Sequence, residues 1–354
     1  MTDPSPPFHC TFSPGIPELL DRLDCSLVVS TYQAGKVIFI SPHGDGLIQL
    51  PRNFTKPMGI AVDGRRMAVA TRHEVVVLAD DPRLAAFHPT RPGHYDALFV
   101  PRATYFVNEV DLHDMAWAGE ALWAVNTLFA CLCTIDHAYS FVPRWRPPFV
   151  SALAPEDRCH LNGMVLVDGQ PAYATALGTA DAPMGWREHR YGGGVLMHCP
   201  SDTIVLSGLP MPHSPRVYDG RVYALLSLLG ALVVVDPAAG TYDEVARVPG
   251  FVRGLARHGD YVFIGMSKIR PGRVFPDLPI DREKLLPGIA VVHLPSGAVA
   301  GLIQYHADCE EIYDVQVLPG VRRPGIIGLG DGMHLNALST PEAVFWGRPP
   351  DERP

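Results

Sequence analysis

Three histidines, His113, His160 and His213, stand at matching places in three successive segments of the chain. Neutral imidazoles gathered at the corners of a ring can bind zinc, iron or copper, and Glu311 could add an oxygen ligand. Such a metal would keep open positions, polarise a substrate or lower the pKa of a bound water. Without a metal, the same imidazoles could act as acid and base near neutral pH. His113, His160, His213 and Glu311 therefore form the candidate catalytic set. The three histidines are also the expected ligands of one divalent transition metal. The structural alternative is that they are separate, water-bonded channel residues.

Around them lie groups suited to holding a small polar or anionic molecule. Arg253 and Lys56 could clamp a carboxylate, sulfate or phosphate, Arg through its planar fork. A salt bridge from Arg253 to Glu311 or Asp314 is the competing use. Asn162, Arg216, Tyr313 and Asp314 occupy similar positions ahead of or within apolar segments. Trp186 opens the run Trp186–Arg190, followed by Gly192-Gly193-Gly194, which reads as a mobile flap over a mouth. Tyr32 and Gln33, in the turn before Gly35, are more than a turn needs. Lys268 and Arg270 fall on the opposite side of their segment. No G-x-S-x-G, H-E-x-x-H, Walker or dinucleotide fingerprint occurs, so no nucleotide cofactor is expected.

Residues so far apart along the chain meet only if a repeat brings them together. Six segments share a short apolar strand, a tight turn ending in glycine, and a second apolar strand. They begin at Met58, His113, Gly163, Ser214, Arg253 and Asp314, and their turn glycines are Gly64, Gly119, Gly169, Gly220, Gly259 and Gly320. Glycine suits these turns because it takes positive φ at little cost. Outer hairpins follow, as in Ala231–Asp236 and Thr241–Arg247. Four strands in roughly 40–50 residues is the pattern of a propeller blade. An all-β, six-bladed propeller is expected, with a seven-bladed ring as the alternative. Ser26–Thr31, Lys36–Ser41 and Gly46–Leu50 resemble the outer strands of a blade completed by the C-terminal segment. Gly325–Leu329 competes with Ser26–Thr31 for the second-strand place. In such a ring the residues leading into each first strand converge on one mouth. A short helix is expected over Ile16–Asp24, capped near Ser13, with one helical turn at Arg282–Leu286. The long insertions are residues 81–107, 179–194 and 268–287.

The composition narrows the function. Hydrophobic residues make up 47% of the chain and charged residues 19%, enough for a large core. The net charge is −8 with no basic stripe, which argues against a nucleic-acid partner. No apolar run reaches transmembrane length. Met1–Pro14 lacks the features of a signal peptide, so a cytoplasmic setting with no membrane partner is expected. The seven cysteines are scattered and read as reduced thiols. Residues 1–12 are expected as a flexible lead, 13–338 as one propeller domain, and 339–354 as a tail.

Several strings together carry a resemblance: Ser30-Thr31-Tyr32-Gln33-Ala34-Gly35-Lys36, Pro57-Met58-Gly59, His160-Leu161-Asn162-Gly163, His213-Ser214-Pro215-Arg216, Arg253-Gly254-Leu255 and Glu311-Ile312-Tyr313-Asp314-Val315. The chain resembles, from about Ser13 to Gly330, a bacterial family of conserved hypothetical proteins described only as a domain of unknown function. The resemblance implies a propeller-like fold and a cytoplasmic bacterial setting, with no established reaction. Pro287-Gly288-Ile289 departs from the Cys-Gly-Val-like string expected there. A more distant, fold-level similarity is to the gluconolactonase-type six-bladed propellers. Their calcium suits oxygen ligands better than this histidine-rich ring. The functional expectation is a metal-assisted or histidine acid/base enzyme, a hydrolase, lyase or isomerase, acting on a small polar or anionic metabolite. The alternative is a non-catalytic propeller that binds a ligand or a protein partner.

Overall fold

The computed structural model describes residues 6–269, 279–330 and 332–347. Arg270 and part of the third insertion lie outside the described residues. Six small antiparallel sheets stand radially as a six-bladed β-propeller. The first five blades follow the chain, with innermost strands Ile60–Asp63, Leu112–Ala118, Leu161–Val167, Pro212–Tyr218 and Phe251–His258. The sixth takes its innermost strand, Asp314–Pro319, from the C-terminal part and its other three, Cys25–Ser30, Lys36–His43 and Gly46–Asn53, from the N-terminal part. This pairing, Ser30 opposite Asp314 through Cys25 opposite Pro319, closes the ring.

The competition for that second-strand place has a clear outcome. Cys25–Ser30 fills it, and Pro324–Ile326 instead crosses over to pair in parallel with Ala97–Phe106 at the rim of the first blade. Among the described residues no seventh blade forms. Cys10–Phe12, within the stretch read as a flexible lead, adds a fifth strand to the rim of the fifth blade. Ala337–Ser339 and Val344–Trp346 form a hairpin where a tail was expected from 339. The helix spans Ile16–Arg22; Gly15, not Ser13, precedes it, and the Ser13 hydroxyl accepts from Leu302 N–H instead. A single turn of 3₁₀ helix covers Arg282–Lys284. No helix among the described residues is long and apolar enough to cross a membrane.

Each blade is covered on both faces, which explains why runs such as Val75-Val76-Val77-Leu78 and Leu232-Val233-Val234-Val235 are nearly continuous rather than alternating. Hydrophobic clusters fill the gap between each blade and the next; Leu112 and Met115, for example, pack with Ala61 and Ala68. The Ile16–Arg22 helix adds Ile16, Leu19 and Leu20 to the cluster between the fifth and sixth blades. All six predicted glycines sit in the turns after the innermost strands at positive φ, from 55° at Gly64 to 75° at Gly169.

Polar stitches join the blades near the axis. Ser30, Thr127, Ser227 and Ser267, at or just past the end of a second strand, donate their hydroxyls to the backbone carbonyls of Met58, Leu161, Val252 and Ile312 on the next blade. These bonds hold the segments leading into the innermost strands, and those segments carry the candidate site.

Candidate functional site

Backbone conformation marks one end of the axis. Tyr32, Lys56, Asp111, Asp157, His160 and Met211 all have positive φ, between 40° and 59°. A side chain in this region costs about 1–2 kcal/mol per residue, so these backbone conformations are held by their surroundings. Five of the six lie in segments leading into innermost strands; Tyr32 lies in a turn of the sixth blade.

The histidines are oriented by the stitches. His113 Nδ1 lies 3.1 Å from the Asp111 carbonyl and 2.7 Å from Thr127 Oγ1. A carbonyl only accepts, and the Thr127 proton is already given to Leu161, so His113 Nδ1 carries the hydrogen. His213 repeats the arrangement with the Met211 carbonyl at 3.1 Å and Ser227 Oγ at 2.8 Å. His160 Nδ1 instead faces the Asp157 carboxylate at 3.0 Å. With each Nδ1 committed as a donor, each Nε2 presents a lone pair. Among the described residues no hydrogen bond engages Nε2 of the three. Burial, with His160 and Arg253 nearby, holds His113 down to about 3. Burial and Arg253 likewise hold His213 well below the ordinary histidine range. Both imidazoles are therefore neutral at physiological pH.

Rings and cations complete the wall. His113 meets His160 edge-on at 5.0 Å and Tyr313 at 5.4 Å. His160 lies 4.4 Å from Trp186, whose Nε1 donates to Asp157 at 2.9 Å. His213 packs near Phe251, and the Arg253 guanidinium sits over both Phe251 and Tyr313. Arg253 also pairs with Glu311 at 3.4 Å. Two buried donors, Arg253 Nε and the Tyr313 hydroxyl, have no partner among the described residues. Tyr313 is 5% exposed, and burial raises its phenol well above the ordinary value.

The structure thus brings His113, His160, His213, Arg253, Glu311, Tyr313 and Trp186 near one another at one end of the ring axis. Trp186 is a buried anchor in a 3₁₀ turn, Gly185–His189, rather than part of a mobile flap; its bond to Asp157 pins that segment. Lys56 does not join Arg253 in a clamp. It pairs with Asp111 at 2.9 Å and Glu109 at 3.0 Å, on the far side of the stacked Tyr32 and Tyr313 rings. Asn162 is buried; its Oδ1 accepts from Thr175 and its Nδ2 is unpartnered among the described residues.

Arg216 and Asp314 have a different place. From the fourth blade, Arg216 reaches across the axis to Asp114 on the second, with both carboxylate oxygens engaged at 2.9 and 3.2 Å. It also donates to the carbonyls of Met164 on the third blade and Leu255 on the fifth. Asp314, on the sixth, accepts from Ile60 N–H on the first, and Gln316 donates to the Ile60 carbonyl. This network touches all six innermost strands. It lays a polar floor across the axis and commits Arg216 and Asp314 to holding the innermost strands together.

Asp157, Thr127, Ser227 and Phe251 belong to no motif that singles them out. The available signal is positional: Ser or Thr recurs where second strands end, and Asp157 stands three residues before His160. Among the described residues no group of three or more His, Cys, Asp or Glu side chains is placed to hold a metal ion. The expected zinc, iron or copper has no ligand set there.

The profile of a family described as "Domain of unknown function (DUF4915)" matches residues 14–327. Among solved structures, the chain is similar to one in the "Crystal structure of Nidogen/Laminin Complex", with a TM-score of 0.54 and 9% identity over 84% of this chain and 99% of that one. It is also similar to a protein of unknown function from Bacteroides caccae, with a TM-score of 0.51 and 8% identity over 83% of this chain and 98% of that one. At such identities the likeness concerns the fold alone. No curated protein matches the chain.

Proposed function

We propose, for a chain that belongs to the DUF4915 family, that the floored mouth binds a small, hydroxylated carboxylate and that His160 transfers a proton on it. The observation that carries this reading is the facing of unlike groups. Three imidazoles offer lone pairs from Nε2, while Arg253 Nε and the Tyr313 hydroxyl are buried donors without partners among the described residues. Acceptors suit the ligand's hydroxyls, and the guanidinium and phenol suit its carboxylate.

Asp157 makes His160 the base of choice. Its carboxylate stabilises the imidazolium that forms when Nε2 takes a proton, and Trp186 Nε1 fixes the carboxylate. His113 and His213 lack a carboxylate on Nδ1 and act as neutral hydrogen-bond acceptors. Covalent catalysis has little support: burial pushes the Cys309 thiol up to about 12, and the Ser214 hydroxyl accepts from Gly254 N–H. Proton transfer beside a carboxylate, as in elimination or isomerisation, fits this set.

The test is a panel of hydroxycarboxylates, with binding measured by calorimetry and proton transfer by deuterium uptake from solvent. Arg253→Met is expected to abolish binding. His160→Gln is expected to retain binding and lose exchange. A ligand that binds without exchange in the wild-type chain overturns the catalytic part and leaves a binding propeller. Binding that survives Arg253→Met unchanged overturns the site.

A further inference from the structure

Two arginines with no ion-pair partner among the described residues lie where the ring closes. Arg52 comes from Gly46–Asn53 of the sixth blade, and His88, Thr90, Arg91 and Tyr95 from the insertion of the first blade. With Ile326, Ile327 and Met333 of the C-terminal segment, they line a hollow of about 220 Å³. Among its described lining residues there is no carboxylate.

Neither arginine has an ion-pair partner among the described residues, in a chain whose net charge is −8. Arg52 donates Nε to the Ile326 carbonyl and Nη1 to the Pro51 carbonyl, which fixes its guanidinium, and no carboxylate among the described residues pairs with it. His88 is 7% exposed and stands between the rings of Tyr95 and Trp346, 5.4 Å from each. Thr90 N–H points to His88 Nδ1 at 3.4 Å, so the neutral ring carries its proton on Nε2. That is the reverse of the tautomer at the axial mouth. Burial holds His88 below its ordinary pKa, and Arg91 and Arg52 add to the effect.

From the lining of this hollow we infer that it is an oxyanion site, independent of the axial mouth, that takes inorganic phosphate or the phosphoryl group of a phosphomonoester. Two guanidiniums, an imidazole N–H, the Thr90 hydroxyl and the Tyr95 phenol offer donors only or can serve as donors. A tetrahedral dianion would supply both the missing charge and the missing acceptors. Because the arginines come from the sixth and first blades, a bound anion would also tie together the two blades at the closure.

The test follows the His88 imidazole resonances of the full chain by NMR, assigned with His88→Gln. Inorganic phosphate and glycerol phosphate are titrated separately against sodium chloride at matched ionic strength. The expected result is a saturable shift with phosphate and a rise of the His88 pKa, because the dianion stabilises the imidazolium. Arg52→Gln and Arg91→Gln should each weaken binding about tenfold, in line with a charge-assisted hydrogen bond. Saturation by inorganic phosphate alone assigns the site to the free ion, and saturation by glycerol phosphate as well assigns it to a phosphoryl group. A shift that fails to saturate, that chloride reproduces, or that survives both arginine changes overturns the inference.

Discussion

Replacing Arg216 by methionine tests the polar floor most directly. The methionine keeps the bulk of the aliphatic stem and removes the guanidinium. Three things are lost together: the two-pronged pairing with Asp114 at 2.9 and 3.2 Å, the bond to the Met164 carbonyl at 3.1 Å, and that to the Leu255 carbonyl at 3.1 Å. Breaking a buried ion pair from one side costs about 3–5 kcal/mol, since the remaining charge has no partner. The Leu255 carbonyl keeps the Tyr218 hydroxyl as a donor at 3.4 Å, whereas losing the donor to the Met164 carbonyl adds about 1–3 kcal/mol where water cannot reach it. The terms overlap, so the expected loss is about 4–6 kcal/mol. Asp114→Asn in the same chain removes the stranded charge and should restore part of that loss, which makes the pair a double-mutant cycle. The assay is urea unfolding followed by tryptophan fluorescence and by circular dichroism, whose agreement checks that one transition is measured. A loss below about 1 kcal/mol for Arg216→Met, typical of an exposed pair, would refute the axial floor. So would a double variant no more stable than Arg216→Met alone.

Other expectations concern pH, the anchor, a close contact and a stitch. His113 and His213 are held below their ordinary range, so their neutral forms favour the fold above about pH 6.5 and that stability is lost as pH falls, each with a slope of about 1.4 kcal/mol per pH unit. Asp314, raised to about 7 by burial and by Asp114, acts in the opposite sense, its contribution being lost as pH rises from about 4 to 7. Two histidines outweigh one carboxyl, so urea midpoints should fall between pH 6.5 and 4, and His213→Gln should flatten that fall; a midpoint rising on acidification contradicts the assignment. Trp186→Phe keeps the ring against His160 but removes the donor to Asp157, for an expected loss of about 1.5–3 kcal/mol in the same unfolding assay. Gly254→Ala should lower the melting temperature measurably, because Gly254 has φ +71° and a Cβ there would lie 2.6 Å from Val315 N. Ser227→Ala removes one of the two partners of His213 Nδ1 and the stitch to Val252, and should cost about 1–3 kcal/mol with a visible shift of the His213 ring resonances.

Much of the architecture is local and therefore readable along the chain. A turn glycine needs positive φ wherever it occurs, and a strand covered on both faces needs an apolar run, so the six hairpins and their order follow from periodicity. The convergence of residues leading into the innermost strands is also a property of the repeat, which is why His113, His160, His213, Arg253 and Tyr313 could be named together. Other features depend on distances between blades, which no local pattern encodes. Pro324–Ile326 has the composition of a second strand, yet the ring has only one such place and Cys25–Ser30 occupies it. Arg216 and Arg253 are alike in type and both lie on innermost strands, but one reaches across the axis to Asp114 while the other keeps a donor, Nε, with no partner among the described residues. The protonated nitrogen of each histidine, by contrast, is chosen within its own blade, by a carbonyl or carboxylate two or three residues upstream and, for His113 and His213, by a hydroxyl just past the second strand. The place of Pro324–Ile326 and the reach of Arg216 belong to ring closure, because they turn on ångström-scale approaches between groups from different blades.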